Sequence, residues 1–276
     1  MEELHFGTGG TPHSSKEAST IAGIGRISEL GLDNMELEFV RGVHMKEELA
    51  GEVKAKAKEL DVKLSAHGPY FINLNAQEKP KVKASVERVL ATARIGHLAG
   101  CSTITFHPAY FMKQEPGKVY DAVKDRLGGI MKTLRDEGNP VEVRPETTGR
   151  LTALGDLDEV IRLSQDVPGV LPCIDFSHLH AREGKVNTYD EFEEVLKKLE
   201  EGLGKEITSN MHCHIQGILY GEKGEKSHLN LTESDFNFQE LMQAFKVYKV
   251  KGLIVCESPN LEEDAMLLKK TFQELG

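Results

Sequence analysis

Six side chains of the kinds that bind metal ions, three histidines and three carboxylates, recur along the sequence at intervals of 29 to 43 residues. Each closes a short apolar or alternating segment; they are His67, His107, Glu146, Asp175, His214 and Glu257. Imidazole binds zinc and other transition metals, and a carboxylate can bridge two ions. Each residue alone also has a structural interpretation, because Glu146 could pair with Arg144 and Asp175 could cap the segment that follows it. Since the same placement recurs six times, we predict a shared metal centre.

Further histidines lie close to this set. His178 follows Asp175 by three residues, where a loop can fold it over the same edge of the fold. His228 lies within the longest irregular stretch, residues 216–231, and means little by its spacing alone. For the histidines that lie outside this pattern we expect structural or surface roles; they are His5, His13, His44 and His97.

Two histidines compete for one position in the seventh predicted strand. His212 and His214 are two residues apart, so they point to the same side of the strand, with Cys213 opposite. His214 is nearer the strand end and is the predicted ligand. His212 is expected to support a ligand or to be an interior residue.

The elements that must position these residues alternate strictly along the chain. Predicted strands cover 4–6, 35–39, 63–67, 102–107, 141–146, 170–175, 208–215 and 252–257. Helical periodicity covers 15–30, 43–60, 79–99, 117–137, 154–167, 188–203, 233–250 and 261–274. This alternation indicates βαβ units and a parallel sheet. With 276 residues, it predicts one α/β domain over 1–276, a (β/α)8 barrel, whose strand ends meet at one rim. A doubly wound open sheet would not gather so many strand ends.

Composition narrows the class of protein. The net charge is -10, which counts against a broad nucleic-acid-binding surface but allows a local basic cleft. The sequence contains neither an apolar run of membrane-spanning length nor a secretory signal pattern, so we expect no membrane association. The four cysteines form no CxxC pair, which favours a reducing cytoplasm. Neither a P-loop nor a GxGxxG or GxSxG motif is present.

An ordered set of motifs resembles the endonuclease IV family, zinc-dependent apurinic/apyrimidinic (AP) endonucleases on a xylose-isomerase-like TIM barrel. The motifs are SAHGPYFINL at 65–74, TFHPAYF at 105–111, RPETTG at 144–149, CIDFSHLHA at 173–181, HIQG at 214–217, KSH at 226–228 and CESP at 256–259. The resemblance covers most of the chain, in order, from about residue 4 to residue 270. The His67 motif, Phe-His-Pro and Asp-x-x-His are the most specific of them. The resemblance implies a DNA-repair phosphodiesterase.

Position by position, the resemblance implies three zinc ions. The first would be held by His67 and His107 with Glu146 bridging, the second by Asp175, His214 and Glu257, and the third by His178 and His228. Tyr70 matches the family tyrosine that enters the DNA stack, and Arg41 is a candidate DNA contact. One departure concerns the third ion. The family has Asp-x-His where this chain has Lys226-Ser227-His228, so we expect a weaker third site unless Glu225 or Glu222 replaces the missing carboxylate.

The implied reaction is cleavage of double-stranded DNA 5′ to an abasic site. A hydroxide bridging two of the ions would attack the phosphorus, with Glu146 as the central catalytic carboxylate. Phosphate contacts are expected from Arg41, Arg150, Lys223 and Lys226, and the protein is expected to be a monomer.

Two other functions are compatible with the sequence. The quartet Glu146, Asp175, His214 and Glu257 also resembles the single-metal site of a sugar isomerase or epimerase, in which Mn²⁺ or Mg²⁺ would bind. The remaining alternative is a catalytically silent DNA- or partner-binding barrel. Two or three zinc ions favour the nuclease, one Mn²⁺ or Mg²⁺ the isomerase, and none the silent barrel.

Overall fold

Eight parallel strands form a closed barrel in the computed structural model, which describes residues 3–275. In chain order the barrel strands β1 to β8 are Leu4–Gly9, Asn34–Glu38, Lys63–His67, Thr103–Phe106, Glu142–Pro145, Ile174–Asp175, Met211–Ile215 and Gly252–Cys256. Hydrogen bonds connect them in the order β5-β4-β3-β2-β1-β8-β7-β6. Parallel bridges from Val143 to Val170 and from Glu146 to Cys173 join the two ends. The predicted fold class, a xylose-isomerase-like (β/α)8 barrel, is confirmed.

Nine helices of the described chain pack around the strands. The helices α1 to α9 are Thr20–Glu29, Glu47–Glu59, Lys79–Ala99, Pro116–Asp136, Leu157–Asp166, Phe176–Glu183, Tyr189–Leu203, Phe238–Val247 and Glu262–Glu274. Reciprocal capping boxes, Asp156 with Glu159 and Thr188 with Glu191, satisfy the first amides of α5 and α7. The apolar faces of the helices cover the outside of the barrel strands and form one hydrophobic core with them.

Two segments differ from the prediction. The region after β6 was expected to be a loop that folds His178 over the rim, but it is the short helix α6. Asp175 caps its first turn by accepting a hydrogen bond from the His178 amide at 2.7 Å, and Gly184 ends it in the left-handed region at φ 65°. The stretch 216–231 was expected to be irregular. It contains an antiparallel hairpin, Gly217–Gly221 paired with Gly224–Leu229.

The hairpin is attached to the loop that follows β5. The Glu225 amide donates to the Gly149 carbonyl at 2.9 Å, and Arg150 forms a β-bridge with Gly224. A Cβ on Gly224 would lie 2.0 Å from the Gly149 oxygen, so the approach requires glycine at this position. The hairpin is therefore held over the carboxyl-terminal rim of the barrel. No helix within residues 3–275 is long and apolar enough to cross a lipid bilayer.

Candidate metal centre

The six residues selected by their spacing meet at the carboxyl-terminal rim of the barrel. His67 and Asp175 are the last residues of their strands, and His214 is one residue before the end of β7. His107, Glu146 and Glu257 each come directly after a strand. Because all eight strands are parallel, these positions lie at the same end of the barrel. The geometric part of the prediction thus agrees with the structure, while the role of these residues as ligands stays a prediction.

The first group joins β3, β4 and β5. One ligand atom from each of His67, His107 and Glu146 lies within 4.8 Å of the other two. His67 Nε2 is 3.1 Å from Glu146 Oε2, and His107 Nε2 is 3.9 Å from Glu146 Oε1. The two imidazole rings are 5.6 Å apart. The group therefore offers one carboxylate and two imidazoles, a set of ligands that zinc accepts.

The second group shares Glu146 with the first. Glu146, Asp175, His214 and Glu257 again place ligand atoms within 4.8 Å of one another. His214 Nδ1 is 3.4 Å from Glu146 Oε1 and 3.5 Å from Glu257 Oε1. Glu146 belongs to both groups, with Oε2 beside His67 and Oε1 beside His107 and His214, so it could bridge two ions. The structure does not show the alternative pairing of Glu146 with Arg144, whose guanidinium instead contacts Glu142 at 2.7 Å.

The third group joins α6 to the hairpin and contains a carboxylate. His178, Glu225 and His228 bring their ligand atoms within 4.8 Å of one another. His178 Nε2 is 3.5 Å from Glu225 Oε2, and the rings of His178 and His228 are 5.6 Å apart. Of the alternatives that Lys226 left open, this geometry favours replacement of the missing carboxylate by Glu225, while the binding of an ion there stays a prediction.

A β-bulge explains how Glu225 takes this place. Leu219 pairs with Ser227 but Tyr220 pairs with Glu225, so Lys226 is the additional, unpaired residue of its strand. Side chains three residues apart on a regular strand point to opposite faces. The additional residue restores Glu225 and His228 to one face, and Lys226 is exposed. Spacing alone could not choose between Glu225 and Glu222, because Glu-x-x-His stands where the family has Asp-x-His.

Backbone carbonyls and carboxylates orient the imidazoles. His67 Nδ1 lies 2.7 Å from the Gly68 oxygen, and His228 Nδ1 lies 3.2 Å from the Glu257 oxygen. His178 Nδ1 lies 2.9 Å from Asp175 Oδ2 and 3.1 Å from the Thr147 oxygen. In all three histidines Nδ1 is anchored, which leaves Nε2 to face the centre. Such anchoring fixes both the tautomer and the ring orientation of a metal-binding histidine.

The electric field of the site favours positive charge. Burial alone would lower the pKa of His67, but the hydrogen bond with Glu146 and the charge of Glu38 raise this pKa to about 10. Asp175 and Glu146 likewise overcome burial and hold the pKa of His178 well above its usual value. His107 differs, since burial dominates there and lowers its pKa to about 4. Buried carboxylates that attract protons onto neighbouring imidazoles would attract a divalent cation in the same way.

The residues present fit metal ions. Glu146 Oε1, His178 Nε2 and His214 Nδ1 are buried, and they make no hydrogen bond of ordinary geometry within residues 3–275. Buried polar atoms without partners are uncommon in proteins. All three belong to the groups described above, and imidazole and carboxylate are the donors that zinc and other divalent transition ions prefer.

A cavity of about 340 Å³ opens above the three groups. Its walls include His67, His107 and Glu257 together with Tyr110 and Arg150. Tyr70 lines this cavity and is 59% exposed, and Phe71, the next residue along the chain, is 61% exposed. The Tyr70 ring is 6.1 Å from the His67 ring.

Arg41 lies in the loop whose backbone contacts Tyr70. The neighbouring Val40 carbonyl accepts a hydrogen bond from the Tyr70 amide at 3.2 Å, and Arg41 itself is exposed. The sequence prediction did not select Phe71, although it directly follows Tyr70 in the motif.

Two carboxylates inside the barrel were also missed. Glu36 and Glu38 alternate with apolar residues on β2, and burial raises the pKa of Glu38 to about 8. The alternation was the available signal, but in an ordinary sheet it indicates a strand with one solvent-exposed face. Glu36 is fully buried and contacts both histidines of β7: it lies 3.0 Å from His212 Nε2 and 2.9 Å from His214 Nε2. His212 is thus an interior residue below the rim.

The remaining histidines lie away from the three groups. His5 is near the start of β1, at the opposite end of the barrel from the rim, and His97 is near the end of α3. The His13 amide donates to Glu262 at 2.9 Å. His44 lies in the loop before α2 and approaches Gly42.

The family model described as the xylose isomerase-like TIM barrel matches residues 24–273. The chain belongs to this family. It is 42% identical over 273 residues to the uncharacterized protein MJ0133 of Methanocaldococcus jannaschii, covering 99% of this chain and 98% of that protein.

More distant relatives include AP endonucleases. Identity to apurinic-apyrimidinic endonuclease 1 of Plasmodium falciparum is 22%, over 76% of this chain and 35% of that protein. Identity to apurinic-apyrimidinic endonuclease 1 of Saccharomyces cerevisiae is 26%, over 54% of this chain and 41% of that protein. The chain therefore spans well under half the length of these two enzymes. The resemblance to endonuclease IV that the motifs indicate is confirmed at this level.

Solved structures with the same fold include both kinds of enzyme. Endonuclease IV from Thermus thermophilus superposes with a TM-score of 0.72 at 18% identity, over 97% of this chain and 98% of that one. A D-tagatose 3-epimerase-like protein superposes with a TM-score of 0.73 at 18% identity, over 92% of this chain and 91% of that one. At such identity the likeness shows the fold alone, so the function must be argued from the site.

Proposed function

We propose that this protein is a zinc-dependent phosphodiesterase that cleaves duplex DNA 5′ to abasic sites. The observation that carries the proposal is the presence of three adjacent ligand groups, of which two share Glu146 and the third includes Glu225. A single-metal sugar enzyme needs only the quartet of the second group. The first and third groups add four histidines and one carboxylate at the cavity, which a phosphate-processing centre with several metal ions would use.

The metal ions and two of the carboxylates have separate roles in the proposed reaction. Bound zinc ions would supply positive charge against the phosphate oxygens and lower the pKa of a nearby water molecule. Glu146, which belongs to both groups, would help to hold the first two ions. Glu257, the quartet member that lines the cavity, is placed to accept a proton from the attacking water. The water oxygen would bond to phosphorus as the bond from phosphorus to the 3′ oxygen breaks. The proton that Glu257 accepted would pass to the 3′ oxygen, which leaves as a hydroxyl.

The surroundings of the cavity suit a nucleic acid better than a free sugar. Tyr70 and Phe71 are exposed beside the centre, and such aromatic rings stack on bases or fill the gap at a missing base. Arg150 lines the cavity and is half exposed. Arg41 and Lys223 are exposed in loops at the same rim, and Lys226 is exposed on the hairpin strand. These cations would contact backbone phosphates despite the net charge of -10. An abasic nucleotide is already unpaired, so its extrusion costs less than that of a normal one.

A sugar epimerase is the second candidate. The quartet Glu146, Asp175, His214 and Glu257 favours it, because two glutamates beside one Mn²⁺ or Mg²⁺ ion can exchange a proton with a sugar carbon. The fold is equally compatible with both activities.

One pair of variants separates the two enzymes. His228→Ala alters only the third group, whereas Asp175→Asn alters the quartet. For the nuclease we expect both variants to lose most cleavage of a labelled abasic duplex, and the purified parent to contain two or three zinc ions by elemental analysis. His97→Ala, near the end of α3, is the matched control and should cleave like the parent.

A different set of results would support the sugar epimerase. A parent with one Mn²⁺ or Mg²⁺ ion, no abasic cleavage, and a ketose epimerase activity that survives His228→Ala but not Asp175→Asn would establish the epimerase instead.

A further inference from the structure

The orientation of His214 differs from that of the other histidines in the centre. His67, His178 and His228 are anchored through Nδ1 and leave Nε2 to face the site. In His214 the ring is reversed: Nε2 lies 2.9 Å from Glu36 Oε1, and Nδ1 is the atom near Glu146 and Glu257. A separate interaction must hold this reversed ring.

Glu36 is built into the barrel interior to provide that interaction. It is fully buried on β2, whose neighbours in the barrel are β1 and β3. The Ser65 hydroxyl donates to Glu36 Oε2 at 2.6 Å, and His212 Nε2 lies 3.0 Å from the same oxygen. Two neighbours thus fix one oxygen of the carboxylate, which leaves the other aimed at His214. A buried carboxylate is costly unless it is held in this way.

We propose that Glu36 is a positioning residue for the metal centre, which acts through His214. Its carboxylate lies 2.9 Å from His214 Nε2, and this negative charge favours the proton on that nitrogen, so that the Nδ1 lone pair faces the second ligand group. The same contact increases the basicity of the imidazole, and it adds a negative charge directly beneath a site that would hold dications. This inference rests on the proposed metal centre but not on the choice between nuclease and epimerase, since the quartet is common to both.

Zinc affinity measured by competition with a chromophoric chelator tests the proposal. Loss of a carboxylate that supports a metal-binding histidine lowers metal affinity about 10- to 100-fold. We expect Glu36→Gln to weaken zinc binding at the second ligand group, which contains His214, by such a factor. The circular dichroism spectrum of the variant should match that of the parent. His97→Gln is the matched control, because His97 is near the end of α3 and away from the three groups; its zinc affinity should stay within about 3-fold of the parent, well below the loss expected for a supporting carboxylate.

A double-mutant cycle distinguishes positioning from direct binding. If Glu36 acts through His214, Glu36→Gln should have almost no further effect on zinc affinity in a His214→Ala background. A full additional loss in that background would overturn the proposal and would indicate that Glu36 binds an ion itself, together with Glu38 and Glu257. If the parent binds zinc and Glu36→Gln binds it equally well, the positioning role is wrong while the proposed function stands. A parent that binds no zinc would refute both.

A measurement on the unaltered protein covers the case in which Glu36→Gln does not fold. Nitrogen-15 chemical shifts of the imidazoles in the zinc-loaded protein report which ring nitrogen binds the metal. We expect Nδ1 coordination for His214 and Nε2 coordination for His178 and His228. Nε2 coordination by His214 would contradict the orientation that Glu36 imposes.

Discussion

The substitution Glu225→Gln tests the assignment of a carboxylate to the third ligand group. Glu225 Oε2 lies 3.5 Å from His178 Nε2, and its side chain is 15% exposed. Two unit charges about 4 Å apart interact by about 4 kcal/mol at the effective dielectric constant of a protein site, and partial exposure reduces this value. We therefore expect the third zinc to bind more weakly by about 2 to 4 kcal/mol, a factor of about 30 to 1000 in Kd. The first two zinc ions should bind as in the parent.

Stepwise zinc titration against a chelator of known affinity provides the measurement, and Lys226→Ala is the matched control. Lys226 is the bulged residue next to Glu225 and its side chain is exposed, so this variant should keep all three affinities. Lys226→Asp should likewise gain no zinc equivalent, because the third group already contains a carboxylate. The reasoning fails if Glu225→Gln keeps the parent's zinc stoichiometry and affinities, or if Lys226→Asp binds an additional zinc ion.

Three further predictions address activity, pH and substrate binding. Glu146→Gln should lower abasic-duplex cleavage by about 1000-fold with an unchanged circular dichroism spectrum, because a neutral amide bridges two cations poorly; a folded variant that cleaves near the parent rate would exclude a shared carboxylate. The pKa of His67 is about 10 and that of His178 is also raised, so both imidazoles carry protons at pH 7 in the metal-free protein. Zinc must displace these protons, so zinc affinity should rise from about pH 6 to about pH 8. Calorimetry in two buffers would measure the proton release. Zinc binding without proton release would contradict these pKa values. Tyr70→Ala combined with Phe71→Ala should raise KM for abasic duplex about 10-fold, since stacking contributes about 1–3 kcal/mol per base, but should leave hydrolysis of a small aryl phosphodiester unchanged; equal losses on both substrates would indicate damage to the centre instead.

The barrel and the strand-end residues could be predicted because both depend on local sequence. Parallel strands buried on both faces are short apolar runs, and the polar residue that ends each run marks the rim. His67 and Asp175 fall on the last residue of a strand, and Glu146 directly follows one. Helix boundaries were also close, with α3 observed at Lys79–Ala99 as predicted.

The sequence offered Glu225 and Glu222 as alternative carboxylates but could not choose between them, because the choice depends on strand register and on contact with a distant loop. The bulge at Lys226 arises from the register of Tyr220 with Glu225 within the hairpin. Contact of Gly224 with Gly149 then holds that hairpin above the rim. Neither pairing leaves a periodic signal in the sequence. Glu36 was missed for a related reason, because its proposed role depends on contacts with residues of β3 and β7. Its spacing from the candidate ligands gives no sign of those contacts.

The connection between the second and third ligand groups lies in a single carboxylate. Asp175 Oδ1 caps α6 by accepting from the His178 amide, and Asp175 Oδ2 lies 2.9 Å from Nδ1 of the same histidine. The helix cap therefore fixes the position of His178, and the second oxygen fixes its tautomer. The Gln216 side chain, directly after β7, donates to Oδ2 at 2.7 Å and keeps the carboxylate in this orientation. The alternative interpretation of Asp175 as a helix cap and its candidate role as a ligand are thus compatible. Because α6 begins at the end of β6, Asp175 orients the third group while belonging to the second. Glu225 reaches the third group from the opposite side, through the hairpin, which supplies no residue to the first two groups.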